Sequence, residues 1–156
     1  MNNRLSRNVG GNLKKRGWNV ALAESCTGGL LGNLITDIPG SSDYFVGGII
    51  AYSNRIKIGV LNVPAEVVER EGAVSEETAL FMVRGVREIF GSETALSVTG
   101  IAGPSGGTPQ KPVGLVYTAA LVPGREEVEK HNFSGGRNEI KKKAAEAALT
   151  MLRRLL

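Results

Sequence analysis

Four short apolar runs, WNVALAE (18–24), YFVGGIIAY (44–52), ETALSVTGIAG (93–103) and VGLVYTAALV (113–122), alternate with segments whose apolar residues recur every three or four positions. Runs this short suit buried strands, and the intervening period suits helices laid on a sheet, so the alternation confines the chain to an α/β fold. Leu5, Val9 and Leu13 predict a first helix that Gly10 and Gly11 weaken and Gly17 stops. From residue 18 the pattern is strand, tight turn, helix, the last two being SCTGGLLGNLI (25–35). DIPGSSD (37–43) is turn chemistry, 44–52 predicts a strand buried on both faces, and SNRIKIGVLNV (53–63) predicts a short helix or irregular link.

Pro64 suits the first position of a helix that Gly72 closes, and Ser75 caps the next one, with Ala79, Met82, Val83, Val86, Ile89 and Phe90 as its buried stripe. The segment 103–112 is a long loop, EEVEKHNF (126–133) an edge strand, and Ile140, Ala144, Ala148, Met151 and Leu155 mark the inner face of a final helix. The order predicts a three-layer α/β/α sandwich on a mixed, mostly parallel sheet with one antiparallel member. No repeat or linker divides it, so residues 1–156 are expected to form one domain. Ligands of such sheets gather beyond the carboxyl ends of strands. Segments 24–29, 52–57 and 99–107 are therefore expected to share one site.

Several function classes are disfavoured. Cys26 is the only cysteine and His131 the only histidine, which leaves no intrachain disulfide and no Cys-rich zinc site; no metal is expected. A formal charge of +4 without a basic tract interleaved with aromatics favours a small anionic ligand over nucleic acid. No apolar stretch approaches the roughly 20 residues of a membrane span, and the amino terminus lacks the apolar core of a secretion signal, so the expected location is the cytoplasm, away from membranes.

At the strand ends, Ser25, Cys26 and Thr27 precede Gly28 and Gly29. The arrangement fits a catalytic turn, an anion cradle at a helix start, or ordinary capping by Ser25 or Thr27. Cys26 is a nucleophile candidate only as a thiolate, and His131 lies far away in the polar edge strand. The second segment offers Ser41 and Ser42 before its strand, then Tyr52, Asn54 and Lys57 after it. A lysine serves as base for a serine when burial lowers its pKa. Thr99 and the N–H groups of 100–107 are suited to hold an anion or polarise a carbonyl, and Arg137 to grip a phosphate. The glycines match neither the dinucleotide spacing G-x-G-x-x-G nor the phosphate loop, since Lys111 is followed by Pro112.

AESCTGG, GSSDYFVGGIIAYSN with Lys57, GAVSEETA, TGIAGPSGG with KPVG, and FSGGR, in this order, resemble the CinA carboxy-terminal domain, the nicotinamide-nucleotide amidase family, from about residue 5 to the end. The resemblance implies hydrolysis of the carboxamide of nicotinamide mononucleotide to nicotinate mononucleotide and ammonia, in pyridine-nucleotide salvage. It implies no metal or organic cofactor, and homo-oligomers of a three-layer α/β/α fold. The site it implies contains Ser25, Ser42, Tyr52, Lys57, Thr99 and Arg137. Within it Ser42 is the favoured nucleophile with Lys57 as base, Ser25 the rival or a positioning hydroxyl, and Tyr52 an orienting or relaying group. Thr27, Gly28, Gly29, Thr99, Gly100, Gly103 and Arg137 are expected to bind the substrate, with Thr99 and nearby N–H groups on the oxyanion and Arg137 and the glycine turns on the phosphate. Gly136 stands where family members commonly carry aspartate, which puts the presentation of Arg137 in question. A nucleotide- or phosphate-binding module without catalysis is the alternative.

Overall fold

The protein, described for residues 3–156 by a computed structural model, contains five strands and six helices in the order α1 (Asn3–Arg16), β1 (Val20–Glu24), α2 (Leu30–Thr36), β2 (Phe45–Ile50), α3 (Asn54–Gly59), α4 (Ala65–Glu71), α5 (Glu76–Phe90), β3 (Thr94–Gly100), β4 (Leu115–Val122), β5 (Arg125–Asn132) and α6 (Arg137–Leu155). A 3-10 turn, Ser41–Asp43, precedes β2. The strands form one sheet in the order β2-β1-β3-β4-β5. β1 is parallel to both neighbours, whereas β3 with β4 and β4 with β5 are antiparallel, so β4 alone runs against the rest.

Alternation along the strands sorts the core into two halves. Val20, Leu22, Leu96, Val98 and Val116 meet α1, α2 and α6 on one face, while Ala21, Ala23, Ala95 and Ala119 meet α4 and α5 on the other. The second face is lined by small residues, which lets α5 lie close to the sheet. There the Ser97 hydroxyl donates to the Ala79 carbonyl at 2.7 Å. A side chain at Gly85 of α5 would meet the Leu61 carbonyl oxygen at 2.0 Å. Three layers result, as the alternation of elements demanded.

Two expectations change. The run 44–52 is not buried on both faces: β2 is an edge strand in which every second residue is exposed, with Val46 at 44% and Ile50 at 54%. Its apolar content matches that of a central strand, and only the pairing order tells them apart. In α5 the stripe holds through Val86, but Ile89 is 47% exposed because the last turn brings Phe90 in against Gly47 instead.

The order of strands also locates the crevice. From the adjacent parallel strands β1 and β3 the chain departs in opposite directions, to β2 on one side and β4 on the other. The sheet opens at such a switch point, beyond the carboxyl ends of both strands. Replacing Gly85 by alanine is expected to cost about 1–3 kcal/mol through overpacking against Leu61. Alanine at Gly11, exposed in α1 with open space around it, is expected to stabilise by up to about 1 kcal/mol. Urea denaturation of the two variants checks both signs.

Candidate active site

Ser25 is the first residue beyond β1, and its backbone N–H donates to the Val98 carbonyl at 2.9 Å, which fixes the turn to the end of β3. The expected capping of the next helix by Ser25 or Thr27 is not what forms. The N-cap of α2 is Gly29, in a left-handed conformation with φ of 100°, and it supplies no side-chain acceptor. The buried carboxylate of Glu24 takes that part. It accepts from the backbone N–H groups of Gly29 at 2.9 Å, Leu31 at 3.1 Å and Gly32 at 2.8 Å. The glycine turn therefore does not cradle an anion with those groups, because a resident carboxylate occupies them. Sequence reasoning passed over Glu24; its signal was an acidic residue just ahead of a helix start.

The short helix α3 is capped by Ser53, whose hydroxyl oxygen accepts from the Ile56 N–H at 3.3 Å. It turns Lys57 inward. The lysine is 2% exposed, and its Nζ donates to the Ala51 carbonyl at 2.7 Å and to Ser25 Oγ at 2.9 Å. Among the described residues no ion pair includes Lys57. Desolvation without a compensating carboxylate holds its pKa below the ordinary lysine value of 10.5. Ala51 completes the frame, since its N–H donates to the Glu24 carbonyl at 2.7 Å while its own carbonyl receives the lysine.

Above this pair lies a cavity of about 240 Å³ whose walls include Ser25, Tyr52, Lys57, Thr99, Gly103 and Arg137. Three strand ends and the start of α6 thus converge, and Gly100 belongs to the same wall. Arg137 donates to the Gly103 carbonyl at 2.6 Å and to the Tyr52 hydroxyl at 2.9 Å. Tyr52 is 60% exposed, so it stands at the rim and steadies the guanidinium. Asn54, Ala73, Val74 and Ser105 also line the cavity. Lys111 secures the Ala73–Val74 wall by donating to the Glu71 carbonyl and, at 2.8 Å, to that of Val74.

Residues 2–156 match the family described as the CinA C-terminal domain. The chain belongs to that family. It is 50% identical over 152 residues to a CinA-like protein of Desulfotalea psychrophila, covering 97% of this chain but 37% of the relative. The chain thus spans little more than a third of that curated relative. Among solved structures it resembles the competence/damage inducible protein CihA from Agrobacterium tumefaciens with a TM-score of 0.96 and 39% identity, covering 98% of this chain and 94% of the other. A CinA superfamily protein from Klebsiella pneumoniae gives a TM-score of 0.94 at 31% identity, with 97% and 95% covered.

Within this CinA domain several expected site residues lie elsewhere or are otherwise engaged. Ser42 is exposed in the 3-10 turn before β2, whereas Lys57 follows that strand. Six extended residues between them correspond to about 20 Å, so the expectation that both serve one site because they flank one strand is corrected: a strand separates what flanks it. Thr27 is fully buried and, like Gly28 and Gly29, does not line the cavity. The Thr99 hydroxyl reaches the wall but donates to the Ala73 carbonyl at 2.7 Å, which commits its proton. Cys26 lines the cavity as a thiol, its pKa pushed up to about 12 by burial, and His131 bonds Thr118 in the far strand pair. With Gly136 at this position Arg137 lines the cavity, and the Glu139 carboxylate accepts from the Gly136 N–H at 2.8 Å at the start of α6.

Burial of Lys57 opposes its charge, so between its lowered folded pKa and 10.5 the unfolded chain binds the proton more readily and wild-type stability rises with pH. Lys57→Met removes this penalty. The variant is expected to melt above wild type at pH 7, by about 2–4 °C for each kcal/mol relieved, with the gap narrowing as pH approaches 10.5. Thermal melts of both proteins across that range check the sign.

Proposed function

We propose that this site hydrolyses the carboxamide of nicotinamide mononucleotide to nicotinate mononucleotide and ammonia, with Ser25 as nucleophile and Lys57 as its base. The observation that carries the reading is a buried lysine amine 2.9 Å from a serine hydroxyl in a pocket, with only neutral acceptors among the described residues. Serine alone is a poor nucleophile at neutral pH, and an adjacent base with a depressed pKa is what activates it. A neutral Lys57 has a free electron pair, and across the same contact the serine O–H then donates to Nζ.

The steps follow from that geometry. Ser25 Oγ attacks the amide carbon while its proton passes to Lys57. The tetrahedral adduct collapses as Lys57 returns the proton to the departing nitrogen, and ammonia leaves an acyl-serine ester. Water, deprotonated by Lys57, then cleaves the ester and regenerates Ser25. With the Thr99 proton committed to Ala73, oxyanion stabilisation falls to backbone N–H groups of the turn. The N–H of the residue after a nucleophile is well placed for this on a strand-to-helix turn. Among the described residues no carbonyl or carboxylate accepts from the N–H groups of Cys26 and Thr27. Arg137 at the rim is suited to the substrate phosphate, with Tyr52 orienting it.

Purified protein is expected to release ammonia from nicotinamide mononucleotide, and Ser25→Ala and Lys57→Ala to lower kcat by about a thousandfold or more, while Ser42→Ala leaves it unchanged. Protonation removes the base, so kcat/KM should fall as pH drops through the Lys57 pKa, an acid limb with its midpoint below 10.5. Mononucleotide binding without ammonia release would convert the reading into a binding module. Loss of activity in Ser42→Ala with Ser25→Ala active would refute the assignment of the nucleophile.

A further inference from the structure

We infer that Glu24 is a positioning residue for the nucleophile turn, an inference that rests on the serine–lysine reading of the site. Its carboxylate is 3% exposed and is satisfied by backbone alone: Oε2 accepts from Gly29 and Leu31, and Oε1 from Gly32. These three donors belong to the last residue of the turn and the first turn of α2. The clamp therefore fixes where the segment from Ser25 to Gly29 leaves β1 and where it enters the helix. Gly28 N–H to the Ser25 carbonyl at 3.0 Å and Leu30 N–H to the Thr27 carbonyl at 3.2 Å close the turn between those points. Among the described residues no carbonyl or carboxylate accepts from the N–H groups of Cys26 and Thr27.

A carboxylate was not needed merely to start a helix, since a serine or threonine at the cap satisfies a donor there at less desolvation cost. What the longer, charged side chain adds is reach. From the end of β1 it reaches the N–H groups of Gly29, Leu31 and Gly32 at once, tying the strand end to the start of α2. Space for it is kept by Gly32, whose Cβ position lies 3.4 Å from Glu24 Oε1 and 3.8 Å from both Leu22 and Phe45 side chains. Among the described residues no hydrogen bond or ion pair joins the Glu24 carboxylate to Lys57, so its effect on catalysis passes through the position of the backbone donors and of Oγ. The base itself is untouched.

A fluorophosphonate probe tests this without reference to the amide substrate. Ser25 Oγ forms a bond to phosphorus, the P–F bond breaks, fluoride leaves and the hydroxyl proton passes to Lys57, producing a mass increase on the Ser25 peptide that Ser25→Ala abolishes. In folded Glu24→Gln the labelling rate is expected to fall about ten- to a hundredfold. Its pH midpoint is expected to stay where it is in wild type, because the base is unchanged. A merely structural role would lower the melting temperature and leave the labelling rate of the folded protein unaltered; that result overturns the inference, as does a shifted midpoint at an unchanged limiting rate. If Glu24→Gln does not fold, Gly32→Val, which crowds Oε1 but keeps the charge, is expected to slow labelling in the same way, and an unchanged rate there overturns the inference equally. Wild type that labels at Ser25 but releases no ammonia defeats the amidase reading alone. Wild type that never labels at Ser25 defeats the inference as well.

Discussion

A lysine amine removed from water, with no carboxylate to compensate it, is the interaction on which the site is built. Such a group is costly in its charged form, and the fold arranges neutral partners that tolerate the uncharged one: a carbonyl at 2.7 Å and a hydroxyl at 2.9 Å. Both partners are furnished by strand ends. Ala51 follows β2, Ser25 follows β1, and the hydrogen bond from Ala51 N–H to the Glu24 carbonyl joins the two strand ends. The Lys57–Ser25 distance therefore follows from the parallel pairing of β1 and β2.

That dependence explains why the rest of the molecule has the form it does. β1 lies inside the sheet, buried along its whole length and paired on both sides, and Ser25 inherits its rigidity. The edge position of β2 allows the chain beyond it to turn back as α3 and deliver Lys57 from above. Small residues under α5 keep that layer close, and Thr99 and Lys111 fasten the 71–74 segment that walls the cavity. At the rim the exposed Tyr52 and Arg137 are joined by a hydrogen bond. A floor of buried strand ends beneath an exposed rim suits a reaction centre that has one geometry and a substrate that must enter and leave.

Much of this was readable in the residues. Apolar runs and helical periods gave the layers, Ser75 and Pro64 marked helix starts, and the three segments beyond the strands did converge with Arg137. What failed was information that lies in pairing and not in pattern. An apolar run such as FVGGII carries the same local signature at an edge as in the middle of a sheet. Ser42 and Lys57 flank one strand, and proximity in sequence suggested one site, yet an extended chain separates its ends by its full length. Ser25 and Lys57 are 32 positions apart and touch because β1 and β2 run side by side. Likewise Ser25 and Thr27 had the composition of a cap, but the acceptor came from Glu24, a residue that strand-forming context made easy to count as the end of β1.

The pleat of β1 resolves an apparent conflict in placing an acid next to the proposed nucleophile. Successive side chains on a strand point to opposite faces, so Glu24 follows Leu22 toward α2 while Ser25 faces the side on which Ala21, Ala23 and Ala51 lie. Were Glu24 free to reach Lys57, it would favour the ammonium form and leave Ser25 without a base. Three backbone donors, one from the cap residue Gly29 and two from the first turn of α2, instead hold the carboxylate on the far side of the sheet. The same contacts that close the helix end thereby keep the amine's surroundings free of negative charge, and adjacency in the chain becomes separation in the field that sets the lysine's proton affinity.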